Sequence, residues 1–158
     1  MPCNDINNFS FEHDFDYWCP AENPLTTSWV QSGTAYAGEK FLAVATTPTT
    51  PIGIVSQDLF WLDDETPYEL TVQVRLVEPF GAVEDGCTVS AHLGEQEIAA
   101  EVLKSTEGDW TALTGSIQPS ARNLTFSLMA ACGFGAHASE ELQGQVQWDE
   151  VLFGPLCD

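Results

Sequence analysis

Leu70-Thr71-Val72-Gln73-Val74-Arg75-Leu76 alternates apolar and polar residues without a break. In an extended chain this places Leu70, Val72, Val74 and Leu76 on one face and Thr71, Gln73 and Arg75 on the other. A helix would scatter the same residues around its circumference, so the segment reads as a half-buried strand. The pattern recurs on both sides of it. Val89, Ala91 and Leu93 alternate with Ser90 and His92, and Leu124, Phe126, Leu128 and Ala130 alternate with Thr125, Ser127 and Met129. Further strands are expected at about 36–45, 54–62, 96–103, 109–117 and 144–153, between breaks such as Thr46 to Pro51 and Glu78 to Gly86. No apolar helical periodicity persists beyond about two turns. Eight or nine short strands predict an all-β chain folded as a two-sheet β-sandwich.

The 158 residues, 44% of them hydrophobic, suit one domain spanning 1–158 with its own core. Twenty-four acidic residues face four basic ones, Lys40, Arg75, Lys104 and Arg122, for a net charge of −20. Such a chain has nothing with which to neutralise a phosphate backbone, which excludes nucleic acid and anionic membrane surfaces as partners. No apolar run approaches the roughly 20 residues of a membrane helix. The five cysteines, at 3, 19, 87, 132 and 157, form no C-x-x-C pair and have no histidine at zinc-ligand spacing. That spacing favours disulfides over metal or redox motifs. Together with the sequons Asn8-Phe9-Ser10 and Asn123-Leu124-Thr125, it predicts a secreted, extracellular glycoprotein. Met1-Pro2 then reads as a start placed on a mature sequence whose signal peptide has been removed. The Thr- and Pro-rich stretch from Thr46 to Pro51 reads as a surface loop, with O-glycosylation as the other reading.

Six segments, in order, give the chain a family likeness over about residues 4–154. Asn8-Phe9-Ser10-Phe11-Glu12 resembles the N-G-G-F-E opening of the carbohydrate-binding modules of families 4, 9 and 22. Trp29 with the run Gly33-Thr34-Ala35-Tyr36-Ala37-Gly38-Glu39-Lys40-Phe41-Leu42-Ala43-Val44 resembles that family's W followed by G-x-A-x-S-G-x-x-x-L-x-V. Ser56-Gln57-Asp58-Leu59 resembles its S-Q-x-L strand, and Pro67-Tyr68-Glu69-Leu70-Thr71-Val72 its Y-x-L strand. Gly108-Asp109-Trp110-Thr111 resembles its W strand, and Trp148-Asp149-Glu150-Val151-Leu152-Phe153 its closing D-D-V-x-L. The resemblance implies a jelly roll, galactose-binding-domain-like, with a concave sheet that binds sugar chains and a structural calcium ion. The chain departs from it at Ser10, where glycine is usual. It also carries cysteines that many bacterial members lack and that secreted fungal proteins with such domains often have.

By the resemblance, calcium ligands fall at Glu12 and Asp149, with the remainder supplied by the turn at Glu39 and Lys40. The alternative is that Glu12 and Asp149 cap backbone groups at a sheet edge. In the resembled fold the terminal strands are neighbours, which pairs Cys3 with Cys157 and leaves Cys19 as an alternative partner of Cys157. Cys87 opens one strand and Cys132 closes another at the same sheet end, giving the second bridge.

Sugars are held by flat aromatic rings and by polar side chains along a groove. Trp110, Trp148, Tyr68 and Phe126 fall on the apolar phase of their strands and are assigned to packing, and Tyr36 occupies a position that is structural in the family. Trp18, Trp29 and Trp61, with Tyr17, lie in connections or at strand ends and are the candidate sugar-binding aromatics. Gln73, Arg75, Ser90, His92, Ser127, Gln145 and Gln147 are taken as one polar face with no aromatic on it, either a sugar-binding floor or a merely solvated surface. The sequence has no G-x-S-x-G, no H-E-x-x-H and no phosphate loop, and His13, His92 and His137 are scattered. The expected function is therefore a non-catalytic module that binds a neutral cell-wall polysaccharide or oligosaccharide. The alternative is a secreted protein-interaction or effector-like module on the same scaffold, since a scaffold does not fix a function. An exposed aromatic beside the polar face separates the two.

Overall fold

Alternation of the kind seen at 70–76 builds both layers of the protein. The computed structural model describes residues 3–20, 27–46, 52–77, 86–104, 108–133 and 144–157. His137 and residues 47–51 of the Thr- and Pro-rich stretch lie outside them. The described strands are β1 (Cys19–Pro20), β2 (Thr27–Ser32), β3 (Lys40–Thr46), β4 (Ile52–Leu59), β5 (Tyr68–Val77), β6 (Cys87–Leu93), β7 (Gln96–Leu103), β8 (Thr111–Ile117), β9 (Leu124–Cys132) and β10 (Gly144–Pro155). They form two antiparallel five-stranded sheets, ordered β1-β4-β9-β6-β7 and β2-β3-β10-β5-β8. The protein is an all-β jelly-roll sandwich, and among the described residues it has no helix.

The apolar phase of each strand faces the opposite sheet. Leu70, Val72, Val74 and Leu76 of β5, Leu42 and Val44 of β3, and Val146 and Trp148 of β10 meet Val89, Ala91, Leu93, Phe126, Leu128 and Val55 from the other sheet. Phe153 packs at 5.3 Å between ring centroids against both Tyr68 and Phe126. Strand β2 has no counterpart in the sequence reading because its inward phase carries Ser28, opposite Val44 in register, where an apolar residue would have revealed it.

Residues 3–18 close one side of the core without joining a strand. Cys3 N donates to Pro155 O at 2.6 Å and Asp5 N to Phe153 O at 2.8 Å, which lays the segment along the end of β10. Gln57, buried on the core phase of β4, clamps Asn7 by accepting its N–H at 3.0 Å and donating to its carbonyl at 3.1 Å. The Asn8 amide is fully used by the next turn. Its Nδ2 donates to Asp14 O and Asp16 O, and its Oδ1 accepts from His13 N. A glycan on that nitrogen would take one of the two protons the turn needs.

Trp18, expected among the exposed aromatics, belongs to the core. It is 3% exposed, stacks on Phe11 at 5.2 Å and meets Phe126 edge-on at 6.3 Å. Its Nε1 donates to Asn8 O at 2.9 Å, so a short turn is enough to bring a residue from a connection into the interior.

Two disulfides form, Cys3–Cys157 and Cys87–Cys132. Cys87 and Cys132 stand directly opposite each other in the β6–β9 register. Cys19 is exposed and free, which removes it as a partner of Cys157. Reduction of the two bridges is expected to lower stability by roughly 2–4 kcal/mol for each, by releasing constraint on the unfolded chain. The denaturation midpoint with and without reductant measures this, and coincident midpoints contradict it.

Candidate functional site

Strand register assembles a row of side chains across the outer face of the sheet β2-β3-β10-β5-β8. Trp29 of β2 is opposite Ala43 of β3, which is opposite Gln147 of β10, which is opposite Arg75 of β5. The β5–β8 pairing reaches Val74 and Thr111, so the next residue outward on each side, Arg75 and Trp110, continues the row to the far edge. Five strands at about 4.8 Å spacing put roughly 19 Å between the backbones of the two tryptophans. A second row, Gln31, Phe41, Asp149 and Gln73, runs beside the first. A flat outer face would leave these residues open to solvent. Instead Gln147 is 3% exposed and Phe41 and Ala43 are buried, so the middle of the face lies sunk below its rim.

Arg75 is the centre of this face. Its guanidinium lies 4.4 Å from the Trp110 ring centroid and 5.2 Å from that of Phe41, and its Nε donates to Gln147 Oε1 at 2.5 Å. Gln147 in turn donates to Gln145 Oε1. Burial holds the guanidinium below its usual pKa, opposed by the charge of Asp149, and at neutral pH it stays a cation. Tyr36, 52% exposed, stands edge-on to Trp110 at 6.3 Å, and Phe41 does the same at 5.9 Å. Trp110 Nε1 is buried and has no acceptor among the described residues. On the opposite rim Trp29, half-buried, donates from Nε1 to Gln31 Oε1 at 3.2 Å. The arrangement is a polar floor between aromatic walls, with a planar cation held against two mutually edge-on rings.

The structure brings Trp29, Gln73, Arg75 and Gln147 to one face and separates the other candidates. His92 lies in the other sheet, opposite Ser127, with Nε2 2.9 Å from Ser90 Oγ, so these three residues belong to a different surface. Trp18 is in the core, and Trp61 stands on the β4–β5 connection. Trp110, assigned to packing, is instead a wall of the groove. Leu113 is the buried residue of β8, and counting back in twos from it places 111 inward and 110 outward, a signal present in the sequence.

The acidic corner next to the groove is held by backbone donors. Asp149 Oδ2 accepts from Tyr36 N at 3.0 Å and Ala37 N at 3.1 Å, and Oδ1 accepts from Glu150 N at 2.8 Å. The β10 register shifts between Asp149 and Leu152, and Glu150 adopts a φ of 48°, which turns the Asp149 carboxylate beneath the 33–39 turn. Glu12 Oε1 accepts from Glu39 N at 2.6 Å, and Lys40 Nζ pairs with Asp14 Oδ1 at 2.9 Å. Burial pushes the Asp149 carboxyl up to about 6 despite its three N–H donors. Burial and then the charge of Glu12 hold Glu150 above the usual carboxylate range. Among the described residues no three acidic, histidine or cysteine side chains converge closely enough to hold a metal by themselves. A cation there would draw on Glu12 and Asp149 together with backbone carbonyls.

No protein-family model matches the chain, and no curated protein does. Solved structures match it end to end. A family 61 carbohydrate-binding module in complex with β-1,4-galactotriose has a TM-score of 0.67 at 12% identity, over 98% of this chain and 99% of that one. The chain has the fold of a carbohydrate-binding module. A family 22 xylan-binding domain from Paenibacillus barcinonensis matches at 0.63 and 15% identity, over 95% of this chain and 93% of its own. The fold is not confined to binding modules. A cyclase from Fischerella sp. TAU, in complex with 4-(1H-indol-3-yl)butan-2-one, matches at 0.59 and 19% identity, over 97% and 98%. At these identities the likeness carries the fold alone.

Proposed function

We propose that the protein is a non-catalytic carbohydrate-binding module, secreted to an extracellular setting, that takes a neutral cell-wall glycan in the groove across β2-β3-β10-β5-β8. The observation that carries this reading is the row Trp29, Ala43, Gln147, Arg75, Trp110. Aromatic rings at both ends offer apolar faces for pyranose rings, and the Arg75 guanidinium with the partly exposed amides of Gln31, Gln73 and Gln145 offers donors and acceptors for sugar hydroxyls, over a floor that buried Gln147 holds in place. The two disulfides suit an oxidising compartment. Polysaccharide pull-down and affinity electrophoresis on a panel of neutral glycans test the reading. Binding is expected to be insensitive to salt, since no counterions are released, and to fall about tenfold or more in Trp29→Ala. Failure to retain any glycan, or retention of a basic protein that high salt abolishes, overturns it in favour of the interaction module.

A structural calcium ion at Glu12 and Asp149 is part of the same proposal, with backbone carbonyls near Glu39 and Lys40 completing the set. Two carboxyls kept reluctant to ionise beside a third acid are what a divalent cation would relieve. A ligand bound only by the folded state stabilises it by mass action, so excess chelator is expected to lower the melting temperature. An unchanged melting curve, with no metal found in the purified protein, removes the ion.

A further inference from the structure

The β4–β5 connection carries the most exposed aromatic residue of the described structure, and the groove makes no use of it. Phe60 and Trp61 leave the end of β4 at 65% and 86% exposure. Trp61 adopts a φ of 62°, a left-handed conformation that costs a bulky residue free energy and needs support from its surroundings. That support is present. Trp61 N donates to Asn123 Oδ1 at 3.3 Å, Leu62 N to Arg122 O at 2.9 Å, and Asp63 N to Tyr68 Oη at 2.8 Å. Leu62 is buried as the anchor, while the Asp63 carboxylate closes the turn by accepting from Glu65 N at 2.9 Å and Thr66 Oγ1 at 2.6 Å. Two large rings are thus held out in water on a rigid turn.

Recesses lie on both sides of this ridge. One of about 320 Å³ is bounded by Phe60, Asp58, Asn123 and Thr125, and one of about 310 Å³ by Trp61, Asp64, Glu65 and Arg122. These volumes are at the lower end of small-ligand sites. Their polar linings are four carboxylates, the Asn123 amide, the Thr125 hydroxyl and the Arg122 guanidinium, groups that pair with neighbouring hydroxyls.

We propose that the Phe60–Trp61 turn is a second carbohydrate site, which takes a single neutral pyranose ring against the Trp61 indole, with its hydroxyls on the side chains that line the adjoining recess. The site is separate from the groove. Tyr68 marks the turn's end of β5 and Arg75 lies seven residues further, about 23 Å along the strand. The inference stands whatever the groove binds.

The test is NMR observation of the five indole N–H signals in protein made in a host that does not N-glycosylate, so that Asn123 is unmodified. The probes are β-1,4-galactotriose, xylohexaose and the methyl glycosides of glucose, galactose, mannose and xylose, with tetralysine as the cationic comparison. The expected result is a saturable shift of the Trp61 signal by at least one sugar that survives Trp29→Ala. Trp61→Ala should abolish the second binding event with the melting temperature unchanged. Asn123→Ala, which keeps the ring and loosens the turn, should weaken it several-fold. A sugar response confined to Trp29 and Trp110, no response at Trp61 to any sugar, or a stronger response to tetralysine than to every sugar each overturns the proposal.

Discussion

Replacing Arg75 by alanine is expected to lower affinity for the groove's glycan about a hundredfold, the scale of loss when a central, well-packed anchor is truncated. The side chain is held by cation–π contacts with Trp110 and Phe41 and by Gln147 at Nε. Its removal deletes the charged donor and also frees both rings and the glutamine to move. Arg75→Lys keeps the charge and loses the planar stack, so most of the defect should remain. Calorimetry with the glycan identified by pull-down measures the loss, with thermal melting as the control for folding. A folded Arg75→Ala protein with unchanged affinity would show that the row across the sheet is not the binding surface.

Trp18→Ala is expected to cost about 3–5 kcal/mol of stability, the range for a large aromatic removed from a close-packed interior. The ring stacks on Phe11, meets Phe126 and donates to Asn8 O, so its loss opens a cavity and also releases the turn that closes the core. Glycan affinity should be retained where the variant is still folded, because Trp18 does not reach the groove. Chemical denaturation gives the number, and a loss below about 1 kcal/mol would mean that the segment over residues 3–18 contributes little to the fold.

Side-chain alternation made the strands legible, as at 70–76, because a period of two needs only local sequence. It says which residues of a strand are outward, and it is silent on which sheet the strand joins. That is why His92, Ser90 and Ser127 read as companions of Gln73, Arg75 and Gln147, although the chain places them in different layers. Position relative to a strand also misled at Trp18, where the turn organised by Asn8 folds a connection inward. At Trp110 the alternation is read one residue out of phase: Leu113 is the inward residue of β8, which turns 111 inward and 110 outward. Arg75 shows why such a residue can face outward and still be well packed: its guanidinium supplies the surface that the ring covers.

The bridge between Cys3 and Cys157 also governs how the protein bears load. It joins residues 154 positions apart in sequence and 5.1 Å apart at Cα. Tension applied between the two ends therefore passes through one covalent link and bypasses the sheets. Anything attached at either end leaves from the same corner, so a tether at both ends holds the domain as a pendant on a line under strain. Segments attached at the two ends can then be pulled apart without drawing the sheets between them out of shape, for as long as that single bond stays oxidised.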